Sequence, residues 1–144
     1  MTATMKRIGL LGGSFDPLHT GHLQLARDAI TALGLDELRL VVAAQPWQKP
    51  GVSPAAQRLR MVELALETLA TTEPALRARL AIERCELDRT GPSYTIDTLI
   101  ALRTALISAE NLVRSVEMAT ASSIACARRS SSSTRAGWSR AAHP

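Results

Sequence analysis

The chain holds 144 residues, 46% of them hydrophobic and 3% aromatic, with a formal net charge of +4. That length suits one domain, or one domain and a tail, with room for a buried core. No run of about 18 apolar residues speaks for a membrane span, and the opening residues lack the apolar stretch of a secretory signal.

The charge is uneven. Residues 1–117 carry thirteen basic and all thirteen acidic side chains, so the excess comes from Arg128, Arg129, Arg135 and Arg140. The basic character therefore belongs to the C-terminal stretch, and neither nucleic acid nor a membrane is the expected partner. Cys85 and Cys126 form no spaced framework, which fits reduced thiols in a cytoplasm.

In chain order, "RIGLLGG" (7–13) is an apolar run ended by glycines and reads as a buried strand. Residues 20–34 place Leu23, Ala26, Ile30 and Leu33 at helical spacing, with Gly34 as the stop. "LRLVVAA" (38–44) predicts a second strand, and "QPWQKPGVSP" a loop. The clearest helix spans 53–70, with Ser53 as cap, Pro54 in the first turn, and Leu59, Val62, Leu66 and Leu69 as its apolar stripe. A third strand is expected at 80–87, including Cys85, then a helix over 91–106 capped by Ser93. Residues 110–116 begin a fourth strand.

This alternation predicts an α/β fold: a Rossmann-like parallel sheet with helices on both faces, truncated after about three strands. Residues 1–112 are read as the N-terminal part of that domain. Residues 113–144, rich in Ala, Ser and Arg, read as a disordered tail, and also resemble a GC-rich gene translated out of frame. With strand four at most begun, strand one is expected to form an exposed apolar edge.

"GLLGGSFDPLHTGHL" (9–23) puts bare backbone at the end of strand one, directly before a helix N-terminus. Free N–H groups and the positive end of the helix dipole make that a site for phosphate. A Walker loop needs Gly-Lys-Ser/Thr, which is missing, and Gly9, Gly12 and Gly13 have the wrong spacing for a dinucleotide fingerprint. His19 and His22 remain as the groups that can neutralise phosphate charge and steady a leaving oxygen. Two other readings of the pair stay open, a metal-binding pair and plain capping histidines.

"GGSFDPLHTGHL" is similar to the signature of the nucleotidyltransferases with an H-x-G-H motif. The resemblance implies that His19 and His22 are catalytic and contact the ATP phosphates. It also implies that Gly12, Gly13, Ser14 and Phe15 line the nucleotide site, and that Mg²⁺ accompanies the triphosphate. "GPSYTIDTL" (91–99) resembles a segment of the bacterial nicotinate-nucleotide adenylyltransferases. There Tyr94 and Thr95 would receive the carboxylate of nicotinate mononucleotide, with Ser14 and Phe15 against the same substrate. By the same likeness Lys49, in the proline-rich loop, would meet phosphate, and Arg58 would support the fold. The implied reaction joins ATP and nicotinate mononucleotide into deamido-NAD and pyrophosphate, a step of NAD biosynthesis. The resemblance runs over about residues 6–112 and no metal ligands are assigned within the chain. Another adenylyltransferase of the same kind, such as the phosphopantetheine type, and a remnant that at most binds nucleotide are the rival readings.

Overall fold

The computed structural model describes residues 6–46, 50–92, 94–108, 113–119, 124–125 and 127–128. The apolar runs that end in glycine or loop residues become strands, and the stripes of period 3.6 become helices. The elements are β1 (Lys6–Gly13), α1 (Thr20–Leu33), β2 (Glu37–Val42), α2 (Ala55–Thr72), α3 (Pro74–Arg77), β3 (Leu80–Glu83), α4 (Thr95–Ser108) and β4 (Val113–Met118). The strands form one parallel sheet in the order β3-β2-β1-β4.

The expected exposed edge at β1 is overturned. β1 lies between β2 and β4, and Lys6–Leu10 pair with Val113–Met118. The fourth strand expected to begin over 110–116 is present at Val113–Met118, and the two valines of "VRSVEM" supply its β-propensity inside the stretch read as a tail. The segment 113–118 therefore belongs to the sheet. A further backbone bond, from the Ala119 N–H to the Leu10 carbonyl at 2.7 Å, continues the pairing.

Alternation along the strands builds two apolar layers. Leu11, Leu38, Leu40 and Val42 face a core with Ala26 and Ala29 of α1 and Val62, Leu66 and Leu69 of α2. On the other face Ile8, Leu10 and Val41 meet Leu102 and Leu106 of α4. No helix among the described residues is long and apolar enough to cross a membrane.

Several local expectations shift. α1 ends as anticipated, with Gly34 in the left-handed region at φ +60° and its N–H bonded to the Ile30 carbonyl. α2, however, starts at Ala55 with Pro54 as its N-cap and no side-chain capping bond. Ser53 is thus not the cap, because both halves of its backbone are engaged elsewhere, by Asp16 and Arg58. β3 stops at Glu83, since residues 85–89 turn away, so Cys85 lies outside it. Cys85 packs beside the α4 layer instead, and burial with Glu83 and Glu86 nearby pushes its thiol up to about 11. Ser93 lies outside the described residues. α4 is tied to the preceding turn by the buried Thr98 hydroxyl, which donates to Glu86 Oε1 at 2.7 Å.

Candidate active site

All four strands run the same way, so the loops after β1, β2 and β3 emerge at one end of the sheet. That end, where β1 has neighbours leading in opposite directions, is where open α/β sheets bind ligands. Gly12 and Gly13 close β1 there, paired with Val41 and Val42. Gly12 is exposed, with no atom within 4 Å of where a Cβ would stand. The chain then turns sharply. Phe15 takes φ +48°, a left-handed conformation that costs a non-glycine residue on the order of 1 kcal/mol. The Asp16–Pro17 peptide is cis.

This turn sends the Phe15 ring inward, where it is 1% exposed and meets His22 edge-on at 5.2 Å between centroids. Phe15 therefore props the histidine from beneath.

The two histidines form the start of α1. His19 is the N-cap, in extended conformation, and its Nδ1 accepts the Gly21 N–H at 3.1 Å. His22 Nδ1 accepts the His19 N–H at 3.2 Å. This is a reciprocal capping box built from imidazoles instead of hydroxyl and carboxylate. It has a chemical consequence. A neutral ring that accepts at Nδ1 carries its proton on Nε2. In that form each ring presents its N–H at Nε2. They lie against each other with centroids 3.9 Å apart and planes tilted by 35°. No acidic side chain occupies the first turn of α1, so the positive end of its dipole is unopposed by the helix itself.

Gly21 explains itself in this geometry. A Cβ there would stand 3.0 Å from Cε1 and Nδ1 of His19. The small residue lets the imidazole fold over the helix start. The capping reading of the two histidines is therefore correct, and it sits together with the phosphate reading, because capping uses only Nδ1.

Two residues at this end were given no site role by the sequence. Arg58 is 1% exposed, and every hydrogen bond it makes goes to backbone oxygen. Its guanidinium reaches Ser53, Ser14, Ala43 and Ala44, and burial holds it below its ordinary value. Asp16 Oδ2 accepts the Ser53 N–H at 2.7 Å. The hydrogen bonds from Ser53 hold the Asp16 carboxyl below the usual carboxylate range, with a smaller contribution from the Arg58 charge. Ser14 thus enters the site through its carbonyl, held by Arg58 at 2.8 Å.

Lys49 lies outside the described residues, as does Trp47. Tyr94 and Thr95 stand at the start of α4, both exposed. The Tyr94 carbonyl accepts the Asp97 and Thr98 N–H groups. A cleft of about 330 Å³ separates the β2–α2 loop, at Gln45, Pro46 and Val52, from Pro92 just before that helix. Among the described residues no three His, Cys, Asp or Glu side chains converge as a metal cage.

The cytidylyltransferase-like family model matches residues 10–137, which run from β1 past β4. A probable nicotinate-nucleotide adenylyltransferase of Bordetella petrii is 54% identical over 99 residues, covering 68% of this chain and 47% of the relative. One from Thermus thermophilus is 50% identical over 93 residues, covering 65% and 46%. The chain spans about half the length of the curated relatives it matches. Among solved structures, the Plasmodium falciparum nicotinic acid mononucleotide adenylyltransferase complexed with NaAD is similar at a TM-score of 0.56 and 20% identity. That likeness covers 78% of this chain and 49% of the other, and it is one of fold. Signature, sheet order and family match agree: this chain belongs to the cytidylyltransferase-like family.

Proposed function

We propose that the chain serves adenylyl transfer from ATP to nicotinate mononucleotide, giving deamido-NAD and pyrophosphate. The observation that carries this reading is the imidazole capping box, which presents two Nε2–H donors at a helix N-terminus beside the open backbone of Gly12. Its chemistry suits a triphosphate. The names of the relatives, at about 50% identity over two thirds of the chain, supply the acceptor.

In the proposed reaction a phosphate oxygen of the mononucleotide attacks the α-phosphorus of ATP. The bond from that phosphorus to the bridging β-oxygen breaks, and pyrophosphate departs. His19 and His22 donate from Nε2 to phosphate oxygens as negative charge gathers on the leaving group. Gly12 and Gly13 let the triphosphate approach the strand end, and Lys49 adds a positive charge from the β2–α2 loop. Ser14 and Phe15 contribute backbone, since the Phe15 ring is buried. The exposed N-terminus of α4, at Tyr94 and Thr95, suits the carboxylate of the nicotinate ring. Mg²⁺ would enter with the ATP phosphates, since the described residues offer no cluster of three His, Cys, Asp or Glu, and it would supply charge neutralisation there. A cytoplasmic location fits a step of NAD biosynthesis.

The test is calorimetric titration of the full chain with Mg·ATP, followed by pyrophosphate release with nicotinate mononucleotide. Heat and pyrophosphate support the proposal. Heat without pyrophosphate assigns nucleotide binding alone, and no heat removes the triphosphate site.

A further inference from the structure

The β2–α2 loop runs from Ala43 to Pro54, and one buried guanidinium fastens it near both ends. Arg58 Nη2 donates to the Ala44 carbonyl at 3.1 Å, and Nε donates to the Ser53 carbonyl at 2.7 Å. Its Nη1 reaches the Ser14 carbonyl at 2.8 Å and the Ala43 carbonyl at 2.7 Å. From the other side Asp16 takes the Ser53 N–H at 2.7 Å. The Ser53 residue is thus gripped at its N–H by one charge and at its C=O by the opposite charge.

An arginine placed only to fill the α2 interface would gain from an apolar neighbour set or a carboxylate partner. Here all four acceptors are backbone oxygens of the turn after β1 and of the β2–α2 loop. An apolar residue of equal volume would leave those oxygens short of a partner. The energy of the burial therefore goes into fixing two loops against each other.

We infer that Asp16 and Arg58 are positioning residues, a clasp through Ser53 that sets the β2–α2 loop against the phosphate-binding turn. The clasp rests on the reading that this turn receives the triphosphate. Neither side chain touches the nucleotide. Their work is to hold the Ser14 backbone and the two ends of the β2–α2 loop, at Ala44 and Ser53, at one fixed separation, so that binding does not have to order them.

The experiment uses the full chain with Asp16→Ala, Asp16→Asn, Arg58→Lys and the Asp16→Ala/Arg58→Lys double variant. Two quantities are read: amide hydrogen exchange without ligand, and the affinity for Mg·ATP. In Asp16→Ala and Arg58→Lys, exchange across 44–53 should accelerate by about tenfold or more, while α1 and β2 stay within about twofold of the parent. Affinity should fall by about fivefold or more in each. The double variant should lose about as much as the more impaired single, and less than the two single losses multiplied together, because both residues hold Ser53. Asp16→Asn keeps an oxygen for the Ser53 N–H and should restore both readings. Unchanged exchange in 44–53, or acceleration spread evenly over the fold, overturns the clasp. So does parental affinity in Asp16→Ala. If the parent itself binds no nucleotide, the triphosphate reading fails, and the exchange measurement alone decides the clasp.

Discussion

Replacing His19 by Asn separates the capping that the imidazole performs from the phosphate donation proposed for it. Asn is among the best N-caps, so its side-chain oxygen can take over the Gly21 N–H that His19 Nδ1 now accepts at 3.1 Å. It has nothing at the place of Nε2–H. A hydrogen bond to a charged acceptor is worth about 1.5–3 kcal/mol, and the exposure of His19 argues for the lower end. That corresponds to roughly a tenfold loss of Mg·ATP affinity, read by calorimetric titration. Stability, read by urea unfolding, should stay within about 0.5 kcal/mol of the parent. His19→Ala gives the contrast: the same loss of affinity, and about 1 kcal/mol of stability lost with the cap. Parental affinity in the Asn variant would refute the donor role, and equal destabilisation of the Asn and Ala variants would refute the capping role.

Gly21→Ala should raise helix propensity by about 1 kcal/mol yet press on the His19 ring, 3.0 Å from the new Cβ. The expected outcome is near-parental thermal unfolding with weaker nucleotide binding, and unchanged binding would show that the ring does not need its present place. Thr98→Val removes the partner of the buried Glu86 carboxylate at nearly constant volume. A loss of about 1–3 kcal/mol is expected in a urea melt. Cys85, tested in a Cys126→Ser background, should resist iodoacetamide at pH 8, since its thiol is pushed up to about 11. Labelling should climb only as pH rises towards that value, and fast labelling at pH 8 would contradict the buried setting. The sign is that of an acid kept neutral by the fold: its contribution to stability is present below the ordinary thiol value and lost as pH rises through 11.

β1, α1 and β2 were legible because glycines punctuate them and their apolar periods are clean. The H-x-G-H stretch was legible as a helix start behind open backbone for the same reason, because both features are written locally. Arg58 was harder. The stripe on α2 was anchored on Leu59, yet stepping back by four from Leu66 and Val62 reaches residue 58, which is the buried position. A charge at a core position of a helix was the signal. Ser53 looked like a cap because its composition is right, but a long-range bond to Asp16, 37 residues away, claims its backbone. α3 carries a Pro at its first position, a readable start, but four residues give no period. β4 was read in part, as the strand expected to begin over 110–116, but the biased composition set the tail's start at 113, and pairing with β1 is a tertiary fact that no local pattern states.

The imidazole cap also bears on how variants of this chain should be sought. Asn, Asp or Ser at position 19 would start α1 as well as histidine does. A library screened for heat resistance alone is therefore blind to the loss of the Nε2 donor and will accumulate such changes. Screens on this scaffold need a nucleotide in the selection step.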